Sequence, residues 1–162
     1  MKLAKYSIRV VDPQGHDALF LLREAAIEAR ILYPELHTEG ALWPINPITP
    51  PHGTYIIAYD LEKPVACGAL RPIDTVAVEV RRMYVLKNAR RSGLARKILV
   101  ALEASAAQMG YNVMRLETGN RQHPAMALYE SFGFKRITPF GEYLNDPTSI
   151  CYEKHIALHA DA

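Results

Sequence analysis

Residues 76–109 constrain this chain more than any other stretch: an apolar strand turns through a basic glycine loop into a long amphipathic helix. The strand reads Val76-Ala77-Val78-Glu79-Val80-Arg81-Arg82-Met83-Tyr84-Val85. Val76, Val78 and Val80 share one face, but beyond Arg82 the clearest apolar residues, Met83 and Val85, stand at odd positions. A strand that keeps one hydrophobic side toward one core accommodates this change by an extra residue. That predicts a bulge near Arg81-Arg82, with backbone N–H and C=O groups left for a ligand. A strand buried on both faces explains the same parity without a bulge, and the sequence leaves both readings open.

The loop and helix read Asn88-Ala89-Arg90-Arg91-Ser92-Gly93-Leu94-Ala95-Arg96-Lys97 and run on to Gly110, where a helix stop is expected. Leu94, Ile98, Leu99, Leu102, Ala106 and Met109 recur on one side, with Arg96, Lys97, Glu103 and Gln108 on the other. The first turn holds Arg90, Arg91, Arg96 and Lys97 and no acid, against the usual preference at the positive end of a helix dipole. Such clustering is favourable when an anion sits among the cations, bound by free N–H groups with Gly93 allowing close approach. A solvated basic turn is the plainer alternative.

Arg90-x-x-Gly93-x-Ala95, after a strand and opening a helix, resembles the R/Q-x-x-G-x-G/A signature of the GNAT superfamily of N-acetyltransferases, which cradles the pyrophosphate of acetyl-coenzyme A. The preceding segment, Glu79 to Val85, is similar to that family's fourth strand. The later Gln122-x-x-Ala125-x-x-Leu128-Tyr129-x-x-x-Gly133-Phe134 is similar to its N-x-x-A-x-x-L-Y-x-x-x-G-F segment. The resemblance spans about 68–154 and implies an α+β fold: a mixed, mostly antiparallel sheet of about seven strands flanked by about four helices. It also implies splayed fourth and fifth strands that admit the pantetheine arm, and acetyl-CoA as cosubstrate. The cofactor site it implies comprises Met83, Tyr84, Val85, Arg90, Arg91, Ser92, Gly93, Leu94, Ala95, Arg96, Gln122, Ala125 and Tyr129. Two positions depart from the pattern: Ala95 replaces the commoner glycine, and Gln122 stands where Asn is usual, which bears on its contact with coenzyme A.

At 162 residues the chain suits one domain, 1–162, whose core needs no disulfide or metal. With 49% hydrophobic and 22% charged residues it is ordinary for a globular protein, and a net charge of +2 predicts neither nucleic acid nor a membrane surface as partner. Cys67 and Cys151 lie in strand-like runs without metal-ligand spacing and read as buried thiols. No signal-type segment opens the sequence and no apolar run approaches ~18 residues, so a reducing, cytoplasmic setting is expected.

Elsewhere the pattern predicts a strand at 6–11, a helix at 16–30 and a hairpin of strands 53–60 and 65–73 around Leu61-Glu62-Lys63-Pro64. The organising strand then makes three consecutive antiparallel strands. A strand at 113–118, a helix from Pro124 to Gly133 and strands at 134–139 and 149–154 complete the chain. Two irregular segments, 31–52 and 140–148, are expected to build an acceptor pocket. Tyr33, His37, Trp43 and His52 in the first either wall that pocket or pin the loop to the core. A sheet edge that accepts a partner strand makes a homodimer compatible with the sequence.

An amine attacking a thioester must shed its proton, and a lysine-like amine of pKa ~10.4 is only about one part in 2,500 neutral at pH 7. That adds about 4.6 kcal/mol to the barrier unless a carboxylate helps, directly or through water. Glu79 matches the strand-four glutamate that many GNAT enzymes use as base, or else pairs with Arg81 or a cation across the sheet. Glu117, ending the fifth strand, is the second candidate. Tyr129 matches the family tyrosine that protonates the departing sulfur, with packing on the cofactor as its alternative role. The resemblance therefore implies acetyl transfer to a primary amine of a small molecule or peptide by direct attack in a ternary complex. A non-catalytic acyl-CoA binding or sensing module on the same fold is the alternative.

Overall fold

The computed structural model describes residues 5–156. Its elements run β1 (Tyr6–Val10), α1 (His16–Leu32), β2 (Thr54–Asp60), β3 (Lys63–Pro72), β4 (Ala77–Val85), α2 (Leu94–Gln108), β5 (Val113–Gly119), α3 (His123–Ser131), β6 (Lys135–Ile137) and β7 (Ser149–His155). The strands form one seven-stranded sheet in the order β1-β2-β3-β4-β5-β7-β6, in which only β4 and β5 pair parallel. Among the described residues there are three α-helices where about four were expected. The other helical turns, Pro34–Leu36, Lys87–Ala89 and Gly141–Tyr143, are three-residue 3-10 segments. The β2–β3 turn is tighter than expected: Lys63 already pairs with Asp60, and Leu61 turns the chain at φ +56°. β6 stops before Thr138-Pro139, where proline has no N–H to give the ladder.

Helices cover both faces of the sheet. On one, α2 sends Leu94, Ile98, Leu99 and Leu102 against Ile56, Leu70, Val78 and Met114. On the other, Ala18 and Leu21 of α1 pack on Tyr55, Ile57, Tyr59 and Cys67. Burial on both sides explains why β2 reads as an unbroken apolar run. α2 has no side-chain cap and no acid in its first turn, so packing rather than capping holds it. Each fully buried leucine contributes about 1.5–3 kcal/mol, more than the ~1 kcal/mol a cap supplies.

The organising strand satisfies both of its sequence readings, in different halves. Ala77, Val78, Glu79 and Val80 are buried whichever face they point to. Beyond them, Ala69 pairs with Arg81 and Cys67 with Tyr84, so β4 carries one residue more than β3, with Arg82 at φ +59°. Gly68 lies opposite this bulge, and a Cβ there would stand 2.6 Å from Ile98 Cγ2, so α2 packs closely only on glycine. The parallel pairing of β4 with β5 covers Ala77↔Val113, Val78↔Met114 and Glu79↔Arg115. Among the described residues no further pair forms, although β4 continues to Val85 and β5 to Gly119, so the strands are splayed. No helix among the described residues is long and apolar enough to cross a membrane.

Candidate active site

One side of the β4/β5 opening is built from backbone. Gly93 precedes α2 in the left-handed region at φ +79°, Arg91 adopts φ +62°, and the first intrahelical bond runs from Lys97 N–H to Gly93 C=O at 3.0 Å. The N–H groups of Leu94, Ala95 and Arg96 come before that bond and point out of the helix end. Arg91, Gly93 and Arg96 are exposed, while Leu94 is buried. Ser92 Oγ donates to Ala89 C=O at 2.6 Å and tightens the loop. Arg90 is already engaged: Nε donates to Val85 C=O at 3.0 Å, and the guanidinium grips Glu28 at 2.7 Å. Tyr84 also donates to Glu28, so the start of the loop is strapped to α1. Burial works to raise the Glu28 carboxyl, and the Tyr84 and Arg90 contacts outweigh it and hold the group low. The donors fit a diphosphate, and the unpaired edge of Met83, Tyr84 and Val85 fits an extended chain lying along it.

Gln122 caps α3 without a side-chain bond, and Ala125 packs on the core one turn later. Tyr129 is buried, edge-on to Phe134 with centroids 5.9 Å apart, and its hydroxyl makes no hydrogen bond among the described residues. Burial pushes its pKa up, and the charge of Glu117 adds to the shift.

The other side is built from side chains. Arg71 and Glu79 are cross-strand partners, and Arg71 Nη2 donates to Glu79 Oε1 at 2.7 Å. Tyr143 donates to Glu79 Oε2 at 2.6 Å, and Arg81 Nη1 lies 3.7 Å from the same oxygen. Arg81 also donates to Glu142 at 2.9 Å. Glu79 is thus 3% exposed with both oxygens occupied, and the cation across the sheet is Arg71. Glu117 differs. It is half-buried and accepts from Ser149 Oγ at 2.5 Å. Burial raises its pKa and the like charges of Asp146 and Glu79 add to the rise, opposed by Ser149 and by the charge of Arg81.

Two cavities flank this network. One of about 150 Å³ is lined by Asn46, Pro47, Ile48 and Pro50 over Tyr55, Ala69, Arg71, Arg81 and Arg82. The other, about 280 Å³, lies between Arg71, Glu79 and residues 140–143. Of the loop residues noted in the sequence, Tyr33 and Trp43 act as pins. Tyr33 is buried against Gly119 and accepts the Arg121 N–H at 2.7 Å, and Trp43 lies between the guanidinium groups of Arg23 and Arg30 at 3.7 and 3.8 Å. Sequence reasoning missed Arg71, Arg82, Asn46 and Tyr143. Arg71 alone had a signal, since the hairpin register sets it opposite Glu79. Both cysteines are free and buried, and burial pushes Cys67 up to about 11. Among the described residues no cluster of His, Cys, Asp and Glu could hold a metal ion.

The Acetyltransferase (GNAT) family model matches residues 22–134. The N-acetyltransferase YsnE of Bacillus subtilis (strain 168), itself uncharacterized, is 30% identical over 153 residues, 92% of this chain and 99% of its own. The IAA acetyltransferase of Azospirillum brasilense is 35% identical over 125 residues, covering 76% of this chain and 80% of its own. A solved structure from Klebsiella pneumoniae subsp. pneumoniae MGH 78578, provisionally an acyl-CoA N-acyltransferase, superposes with a TM-score of 0.76 at 31% identity, over 94% of this chain and 99% of that one. With the glycine loop opening α2, the bulged β4 and the splayed β4/β5 pair, this chain belongs to the GNAT acetyltransferase family and is an acetyl-CoA-dependent acetyltransferase.

Proposed function

We propose that this enzyme, acting as one domain in a reducing cytoplasmic setting, passes acetyl from acetyl-CoA directly to a primary amine of a small molecule or peptide bound at the same time. The observation that carries the reading is the opening between β4 and β5 beside the glycine-led start of α2, with the half-buried carboxylate of Glu117 at the end of β5, its pKa raised by burial. Acetyl-CoA supplies the activated thioester. The N–H groups of Leu94, Ala95 and Arg96, with the side chains of Arg91 and Arg96, hold its diphosphate. The open edge of Met83, Tyr84 and Val85 holds its arm, and Ser92, Gln122 and Ala125 border it. A backbone N–H freed at the bulge, at Met83 or its neighbours, stabilises charge developing on the carbonyl oxygen. Arg90, engaged by Glu28, shapes the loop.

Glu117, rather than the Glu79 that the resemblance names, takes the proton from the amine. Glu79 has both oxygens committed to donors, whereas a carboxylate of raised pKa is closer to the basicity the step needs. Tyr129 stays protonated at neutral pH and gives its proton to the departing sulfur, a leaving group of pKa ~8.5 for which such help is useful but not obligatory. The buried, up-shifted thiol of Cys67 favours direct transfer over an acylated enzyme. The test is acetyl-CoA-dependent thiol release against pooled amino acids, polyamines, aminoglycosides and lysine peptides. Release with one pool supports the reading, and tight acetyl-CoA binding with no release from any pool overturns it.

A further inference from the structure

The groove beside the opening has an unbalanced charge. Arg82 is half-buried, yet no carboxylate lies within ion-pair distance of it among the described residues. Its Nε donates to Asn46 Oδ1 at 2.9 Å and its Nη2 to Ile45 C=O at 3.2 Å. A guanidinium carries five N–H groups, so two are accounted for by neutral acceptors and the rest remain available. Burial and the nearby charge of Arg81 both push its pKa down, the reverse of what a carboxylate partner does. The neighbouring Tyr55 is 2% exposed, and its hydroxyl, buried beside Cys67 and Asn46, makes no well-formed hydrogen bond among the described residues. Both residues line the same cavity, whose remaining wall is largely apolar: Pro47, Ile48, Pro50 and Leu70.

A half-buried cation with no anionic partner is costly, and an anionic group seated in the cavity that Arg82 lines relieves that cost. Arg71 does not compete for that role, because Glu79 and Glu142 already engage it. We infer that this cavity is a carboxylate subsite, so that the acceptor is an amine carrying a carboxylate and an apolar portion in the same small molecule. Arg82 holds the carboxylate, Tyr55 backs the cavity, the proline-rich segment 47–50 covers the apolar part, and the amine is left toward the β4/β5 opening. The planar, two-pronged match between guanidinium and carboxylate makes this anion the natural occupant. The assignment rests on the acetyl-transfer reading given above and narrows its acceptor.

The test uses matched acceptors that differ only in the carboxylate: L-leucine with isopentylamine, L-phenylalanine with phenethylamine, and L-alanyl-L-leucine with its C-terminal amide. The expected result is a kcat/KM at least about tenfold higher for the carboxylate member of at least one pair, carried mainly by KM. Arg82→Gln should collapse that ratio toward one, with acetyl-CoA affinity unchanged by calorimetry, and Arg82→Lys should restore part of it. Because Arg82 also ties down segment 45–46, the matched-acceptor comparison on the wild type, which needs no substitution, carries the test alongside the two Arg82 variants. A parallel titration of the CoA-loaded enzyme with N-acetyl-L-leucine and N-acetylisopentylamine reads the subsite without turnover. Preferential binding of the first supports the subsite even if no amine is acetylated, in which case only the acetyl-transfer reading fails. Turnover without carboxylate preference, or a preference untouched by both substitutions, overturns the subsite and leaves acetyl transfer standing. Neither turnover nor preferential binding overturns both.

Discussion

The two sides of the active site are made from different parts of the peptide. The side proposed for the cofactor is backbone: an unpaired strand edge, helix N–H groups, and two turns of positive φ at Arg91 and Gly93. The side proposed for the acceptor is side chain: Arg71, Glu79, Arg81, Glu142 and Tyr143 in one network, with Arg82 and Asn46 beside it. Backbone donors are indifferent to side-chain identity, so they suit a cosubstrate that a whole family shares. A network of charges changes with each residue, so it suits an acceptor particular to one enzyme.

Substitutions on either side can break or sharpen that contrast. The largest effect is expected from Glu117→Gln, which should lower kcat/KM at neutral pH by about 10²–10⁴, the usual range for a general base. The same variant should not lose stability. Burial raises the folded-state pKa of Glu117 above the ordinary glutamate value, so its contribution to stability is full below that value and is lost as pH rises through the raised one. Removing the titration should leave the Tm at pH 7 unchanged or higher, and a clear drop would show that Glu117 is chiefly structural. Next, Gly93→Val places a branched side chain at φ +79°. Acetyl-CoA should bind at least about tenfold more weakly in calorimetry, with a folding cost of roughly 1–2 kcal/mol. Unchanged affinity would remove the backbone cradle and with it one half of the contrast.

Tyr129→Phe should lower turnover by about tenfold while acetyl-CoA affinity holds, less than a full general acid supplies because a thiolate leaves on its own. A wild-type rate would leave Tyr129 only its packing on Phe134 and Tyr152. Tyr143→Phe, the smallest effect, takes one donor from Glu79 and should cost about 1 kcal/mol in denaturant unfolding, with acetyl-CoA affinity untouched. A change in that affinity would show that the two sides are coupled.

This division also explains how much was legible in the sequence. The cofactor side lies within one contiguous strand–loop–helix, where a glycine at a fixed offset and a shift of apolar parity are local signals. The bulge at Arg82, the glycine before α2 and the splay of β4 from β5 all follow from them or from the family resemblance they carry. The acceptor side draws on segments 46–50, 69–71, 79–82 and 140–143, brought together only by the sheet. Nothing at Tyr143 foretells a bond to Glu79, and nothing at Asn46 foretells a bond to Arg82, since those residue types are common in loops. The assignment of Glu79 as base came from its position. What the position could not convey is that Arg71 and Tyr143 fill both carboxylate oxygens, while burial raises Glu117 against the smaller opposing effects of Ser149 and Arg81.

The most direct measurement of the central claim is the pH dependence of kcat/KM for the wild type, Glu117→Gln and Glu79→Gln with one amine acceptor. The wild type should rise with pH through a pKa above the ordinary glutamate range and then level off. Glu117→Gln should lose that limb and climb with pH toward the pKa of the amine itself, about 10.4. Glu79→Gln should keep the wild-type profile at a reduced height. A Glu117→Gln profile that follows the wild type, or a limb that disappears only in Glu79→Gln, would contradict the assignment and return the base to Glu79.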